Sequence, residues 1–181
     1  MIKLYSSIIG TPVLNFDDGS LLAVMEDVIV DPETGKIEAF WVKPLTLPIA
    51  DAILQSQDIA EWKKNVYIKN ESLISTPDEV IKITDILTKN IYVIGNKVKN
   101  QKGKNYGRVY DLDFNCDTFY VRQIHAQKSV LGIFKYEGRI FSFDSIIEIT
   151  DKAIIIDDET SKKREVVEGA FVKDKPANAV G

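Results

Sequence analysis

The sequence contains an internal repeat, which restricts the chain to a fold that can be built twice. The segment IGTPV at residues 9–13 matches IGNKV at residues 94–98, about 85 positions further on. After a one-residue deletion, Gly19 aligns with Gly103 in the turn that follows. In both copies an Ile-Gly pair is followed by a predicted strand, a glycine-bearing turn and a second predicted strand.

The length of the repeat unit determines the domain organisation that we expect. A period near 85 is longer than the ~20–50 residues of stacked solenoid repeats, so two tandem domains fit better than an array. We place the first domain at residues 1–87 and the second at residues 88–160. Residues 161–181 are charged and end in KPANAVG, which is typical of a flexible C-terminal tail.

Short apolar runs bounded by turn residues predict strands throughout the chain. The 24 Ile and 16 Val residues favour strands because their branched side chains are stiff. No long stretch has helical periodicity, so we expect an all-β fold with short helical turns. The predicted strands are residues 21–30, 37–42, 66–68, 80–83, 109–114, 119–124, 140–143 and 153–156.

Two segments carry helix-start signals. Thr76, with Pro77 and Glu79 after it, predicts a short helix, and residues 84–90 are expected to form one turn between the copies. Residues 58–61 (DIAE) form a weaker capping box. Trp62 follows that segment, and we expect it to pack back on the sheet.

Asx residues and glycines predict tight hairpin turns between the strands. These turns fall at residues 15–19 and 31–35 in the first copy, and at residues 101–104 and 115–117 in the second. The last of them lacks a glycine.

The repeated pattern resembles the PRC-barrel family. It consists of Ile-Gly-x-x-Val, a turn with glycine, then Gly or Ala, an apolar strand and an aspartate. The first copy carries it as Ile9, Gly10, Val13, Gly19, Ala23, Met25 and Asp27. The second copy carries it as Ile94, Gly95, Val98, Gly103, Gly107, Val109 and Asp111.

The resemblance implies two tandem six-stranded barrels that serve as docking modules and share no catalytic residues. The family takes its name from the cytoplasmic domain of the photosynthetic reaction-centre H subunit, and it includes the C-terminal domain of a ribosome maturation factor. It also implies that Asp27 and Asp111 accept hydrogen bonds from nearby backbone N–H groups rather than form a paired acidic site. Fold alone does not transfer function, so the partner stays open.

Few residues suit catalysis, so we expect no enzyme. His125 is the only histidine, and we interpret it as an ordinary strand-end or loop residue. One cysteine, Cys116, excludes an internal disulfide and a Cys-based zinc site, and it indicates a reducing compartment. Residues 17–18 and 157–159 are acidic but lack calcium-loop spacing, so we expect no metal. The chain has no phosphate loop or dinucleotide motif, so we expect no cofactor and no small-molecule substrate.

Positive charge is concentrated in the second copy. Residues 1–90 contain 8 Lys and no Arg against 14 acids, whereas residues 91–181 contain 15 basic and 13 acidic residues. The candidate partner-binding residues fall in one predicted hairpin without an intervening acid: Lys97, Lys99, Lys102, Lys104 and Arg108. They suit RNA phosphate or an acidic protein face. The alternative is a solvated edge, because lysine on an edge strand also prevents sheet-to-sheet aggregation.

Together these features predict a non-catalytic cytoplasmic adaptor with a protein partner. The alternative is an RNA- or ribosome-associated factor that uses the basic hairpin. The net charge of -4 argues against attraction of the whole protein to nucleic acid. The sequence shows no signal peptide and no run of ~18 apolar residues, so we expect no membrane span.

Overall fold

The structure, a computed structural model, describes residues 1–128, 137–157 and 162–163. Within these residues the fold is mostly β, beginning with strand β1 (Ile2–Leu4), and the one α-helix, α1, spans Ile81–Thr88. Apart from residues 162–163, the predicted C-terminal tail lies outside the described residues.

The first sheet is built from the first half of the chain. Its strands are β2 (Pro12–Asn15), β3 (Leu21–Val30), β4 (Ile37–Pro44), β5 (Ala52–Gln55), β6 (Ile59–Trp62), β7 (Val66–Ile68) and β8 (Ile74–Ser75). Their spatial order is β6-β7-β2-β3-β4-β5-β8. All neighbours are antiparallel except β2 and β7, which run parallel.

The second sheet is built from the second half. Its strands are β9 (Lys97–Asn100), β10 (Asn105–Asn115), β11 (Val121–Lys128), β12 (Glu137–Ser142), β13 (Ile146–Ile149), β14 (Ile154–Ile156) and β15 (Lys162–Lys163). Their order is β13-β14-β9-β10-β11-β12-β15, with β9 parallel to β14. Strand β1 also joins this sheet, because it pairs with the far end of β10.

Residues that align in the repeat occupy equivalent places in the two sheets. The strand order is the same, and the parallel pair lies at the same position. The backbone hydrogen bonds also correspond: Gly10 N donates to Met25 O and Gly95 N donates to Val109 O, both at 2.8 Å. Each of these glycines has a positive φ, near +80°.

The turn that lacks glycine places an aromatic residue in the left-handed conformation. Gly35 ends the β3–β4 turn with φ +72°, and Phe119 holds the equivalent place after β10 with φ +61°. Such a conformation costs a non-glycine residue about 1–2 kcal/mol. Packing offsets this cost, because the Phe119 ring lies 6.2 Å from Phe40 and 6.3 Å from Trp62 between ring centroids.

A short antiparallel bridge joins the two sheets at these turns. It centres on Lys36 and Tyr120, which are equivalent residues of the two halves. Its bonds are reciprocal: Ile37 N donates to Phe119 O (2.8 Å), and Val121 N donates to Gly35 O (2.9 Å). Each sheet therefore gives one donor and one acceptor to the other.

The two sheets share one hydrophobic core. Phe40 and Trp62 of the first half lie 6.4 Å and 5.7 Å from Phe114 of the second half. Trp62 is 9% exposed, so the prediction that it packs back on the sheet is confirmed. Buried residues of both halves, such as Val13 and Ile124, belong to the same cluster.

The helix α1 replaces a predicted strand. Residues 80–83 were expected in a strand, but the chain turns through a 3₁₀ segment, Pro77–Glu79, and continues as α1. Ile83 and Ile86 lie three residues apart, so they share one helix face, which packs on Ile29 and Ile53 of the first sheet. That packing requires helical spacing rather than the alternation of a strand.

The helix predicted near residues 58–61 is also wrong. Ser56–Asp58 form a 3₁₀ turn, and the chain then enters β6 at once. Ile59 pairs with Ile68 of β7, so the strand ladder takes the place of the helix. The segment before it, residues 52–55, forms β5.

Candidate partner-binding surface

The five candidate cations lie along β9, the following turn and β10. Lys97 and Lys99 share one side of β9, while Val98 between them is fully buried. Lys97 stands opposite Arg108 in the register. The structure therefore brings Lys97, Lys99 and Arg108 together on the outer side of the sheet.

The other two candidates point elsewhere. Lys102 is exposed in the turn, whereas the Lys104 Nζ lies 5.3 Å from the ring centroid of the buried Tyr106. One nitrogen of the Arg108 guanidinium already has a hydrogen-bond partner, because Nη1 donates to the Gly95 carbonyl oxygen at 2.7 Å. The predicted hairpin is present, but its cations do not form a single cluster.

In the part of the chain that the structure describes, no carboxylate neutralises these cations. Among the described residues, none of the five forms an ion pair. Four lysines of the first half behave differently, since each pairs with a glutamate: Lys36, Lys63, Lys82 and Lys89. The hairpin thus keeps its positive charge available to an anionic partner.

Two further cations join Lys104, and the sequence did not reveal them. The Arg139 guanidinium carbon lies 5.0 Å from the Tyr106 ring centroid. Together with Lys128, these side chains line a cleft of about 110 Å³. Lys104 precedes β10, whereas Lys128 and Arg139 lie in β11 and β12, so only the pairing of these three strands brings the cations together.

His125 is a buried strand residue, not the strand-end or loop residue that we expected. It lies within β11 and is 5% exposed. Its Nε2 is 3.2 Å from the Asp113 Oδ2, and the Arg122 Nη1 is 3.9 Å from the Asp113 Oδ1. No hydroxyl or thiol among the described residues hydrogen-bonds to this histidine, so no nucleophile stands beside it.

The His125–Asp113 pair lies where the first sheet has apolar residues. His125 pairs with Asp111 as Trp41 pairs with Asp27, and Asp113 is the counterpart of Ile29. Ile29 and Trp41 pack beneath α1. The second sheet has no helix there among the described residues, and polar side chains hold that face instead.

The structural role expected of Asp27 and Asp111 is confirmed. Val28 N donates to the Asp27 Oδ1 at 2.7 Å, and Leu112 N donates to the Asp111 Oδ1 at 2.9 Å. Asp111 also accepts from the hydroxyl of Ser6 at 2.7 Å. Nearby, burial and the Asp27 carboxylate raise the pKa of Tyr5 to about 12, so its phenol stays neutral.

The remaining chemical candidates show no activating environment. Burial raises the pKa of the Cys116 thiol to about 11, which keeps it protonated at neutral pH. Asp17 and Asp18 lie exposed at a hairpin tip, where hydrogen bonds from the Ser20 side chain and from the Ser20 backbone N–H lower the pKa of the Asp18 carboxyl. Of the second acidic cluster, residues 158 and 159 lie outside the described residues. In the described part of the chain, no three His, Cys, Asp or Glu side chains are arranged to hold a metal.

Helix α1 has eight residues, and no helix in the described ranges is both long and apolar enough to cross a bilayer.

The comparison with protein families gives one result. A family model of the PRC-barrel domain matches residues 2–73, which covers β1 to β7 of this structure. A search of curated proteins finds no match.

Proposed function

We propose that the chain consists of two tandem PRC-barrel domains, at residues 1–87 and 88–160, and acts as a non-catalytic cytoplasmic adaptor. The family match over residues 2–73 supports the first domain. The equal strand order of the second sheet supports the second domain.

One observation carries the adaptor role. The two sheets share a core through Phe40, Trp62 and Phe114, so the turns and edges of both halves belong to one packed unit. A partner that contacts both halves then binds without the entropy cost of ordering separate domains.

Exposed apolar side chains around the β2–β3 hairpin suit a protein partner. Phe16 is 52% exposed at the turn, and Leu21, at the start of β3, is 44% exposed. Leu45 lies beside them, because its N–H donates to the Leu22 carbonyl oxygen. Aromatic residues are enriched at the centres of protein interfaces, where charged residues are depleted.

Affinity capture from lysate, with and without nuclease, tests this proposal. We expect captured protein to persist after nuclease treatment and to be lost in the variant Phe16→Ser with Leu21→Ser. Ile147→Ser is the matched control, because Ile147 is 51% exposed on the second sheet. Equal capture by all variants, or turnover of a substrate that a point mutation abolishes, would contradict the adaptor role.

The second candidate is an RNA- or ribosome-associated factor, favoured by the hairpin cations that form no ion pair among the described residues. If four lysines each neutralise one phosphate of single-stranded RNA, the logarithm of the affinity falls with the logarithm of salt concentration with a slope of about -3. Exchanging Lys97, Lys99, Lys102 and Lys104 for Glu should abolish RNA retention. Unchanged retention, or affinity that is independent of salt, would rule this candidate out.

A further inference from the structure

Three cations converge at one end of the second sheet. Lys104 precedes β10, Lys128 ends β11, and Arg139 lies near the start of β12. They line one cleft with Asn105 and Tyr106. We propose that Lys104, Lys128 and Arg139 form a binding site for a phosphate group. This inference goes beyond the adaptor role and does not depend on it.

Among the side chains that the structure describes, none is a counterion for the charge of this cleft. None of the three cations forms an ion pair among the described residues. Lys128 stands opposite Glu137 in the strand register, so the charge available to an anion comes mainly from Lys104 and Arg139. Like charges gathered around a small cleft repel one another, and a bound anion relieves that repulsion.

The first sheet shows that the fold does not need these charges. Arg139 pairs with Ala126 as Ala52 pairs with Val42, so Ala52 is the counterpart of Arg139. By the same alignment, the counterparts of Lys104, Tyr106 and Lys128 are Ser20, Leu22 and Pro44. The first-sheet counterparts of the three cations are therefore all uncharged.

The shape of the cleft selects phosphate over a base. Its volume of about 110 Å³ is several times the ~10–15 Å³ that a single water molecule requires, so it has room for a small tetrahedral anion. Tyr106 is only 4% exposed, and its ring already contacts Lys104, Arg139 and Phe141. The ring is therefore not available to stack on a base. A guanidinium binds phosphate through two parallel N–H donors, and an ammonium adds a point charge.

Calorimetric titration of the full chain with pyrophosphate at low salt tests the site. We expect binding by the wild type, and a loss of affinity of about tenfold or more in Arg139→Gln or Lys104→Gln, the effect of one charge-assisted hydrogen bond. Lys43→Gln is the control, because it removes the same charge from an exposed position of β4 in the first sheet. Its affinity should stay within about twofold of the wild type. Equal melting temperatures show that the variants are folded, and two independent cleft variants keep the test valid if one is not.

A second titration with oligouridylate separates two sources of phosphate. Oligouridylate that displaces pyrophosphate, with the same loss in Arg139→Gln, assigns the site to the backbone of a nucleic acid. Binding of pyrophosphate alone assigns it to a small diphosphate. Absence of pyrophosphate binding by the wild type, or equal weakening by Lys43→Gln and Arg139→Gln, overturns the proposal.

Discussion

The close approach of β10 to β11 at Gly107 gives a sharp test of the strand pairing. A Cβ atom at this position would lie 1.8 Å from the backbone oxygen of Gln127, and φ is +100°. Gly103 has a similar φ of +79°, but a Cβ there would meet open space. Gly138 also faces open space, and its φ is not positive.

The three Gly→Ala variants should therefore differ in size of effect. Left-handed strain costs about 1–2 kcal/mol at Gly103 and at Gly107. At Gly107 the displacement of the neighbouring strand adds about 1–3 kcal/mol, which gives about 2–5 kcal/mol in total. In a chain of this size each kcal/mol lowers the Tm by about 2–4 °C, so we expect a loss of about 4–20 °C for Gly107→Ala and about 2–8 °C for Gly103→Ala. Gly138→Ala should be neutral, or more stable by up to about 1 kcal/mol.

Thermal unfolding followed by circular dichroism, with urea midpoints as a second measure, distinguishes these effects. An equal Tm for Gly107→Ala and Gly103→Ala would refute the close approach of β10 to the Gln127 carbonyl. A large loss of stability in Gly138→Ala would contradict the expectation that an added Cβ fits at this position without strain.

Three other predictions concern the phenol, the thiol and the shared core. The pKa of Tyr5 rises from 10.0 in the unfolded chain to about 12 in the folded one. The stability that its neutral form contributes is therefore complete below pH 10 and is lost as pH rises through about 12. Urea midpoints over this range should fall less steeply with pH in Tyr5→Phe than in the wild type, and parallel curves would contradict the prediction. Cys116, the single thiol, has a pKa of about 11 and is buried, so an aromatic disulfide reagent at pH 8 should react far faster in denaturant than in the native state; equal rates would show an accessible thiol. Trp62→Ala should cost about 3–5 kcal/mol and leave one calorimetric transition, because Trp62 packs on both halves; two separate transitions in the wild type would show that the halves unfold independently.

Local sequence signals predicted the strands and turns well. The predicted run 21–30 coincides with β3 and the run 66–68 with β7, because their branched residues are bounded by turn residues. The glycines of the predicted turns, such as Gly19 and Gly103, have positive φ as the turn chemistry requires. The family resemblance was confirmed only over residues 2–73.

Features that depend on tertiary contacts were not predictable. The run at 80–83 is apolar enough for a strand. It forms a helix because helical spacing lets Ile83 and Ile86 pack together on the outer face of the first sheet. The left-handed Phe119 has no sequence signal, since its strain is offset by Phe40 and Trp62 from the other half.

The candidate site was predictable only where its residues are close together in the sequence. Lys97 to Arg108 are close in sequence, so a hairpin groups them. Arg139 reaches Lys104 only through the pairing of β12 with β11 and of β11 with β10. His125 directly follows the predicted strand at residues 119–124, whereas β11 extends to Lys128 and so includes it.

The reciprocal bridge at Lys36 and Tyr120 has a consequence for how such a chain can arise. A polypeptide with a single copy of the sheet would carry both the Ile37 donor and the Gly35 acceptor, so two separate molecules would satisfy each other as a homodimer about a two-fold axis. Fusing the two genes makes that encounter intramolecular and independent of concentration. It also frees each half to diverge, and the second half carries Arg139 where the first has Ala52.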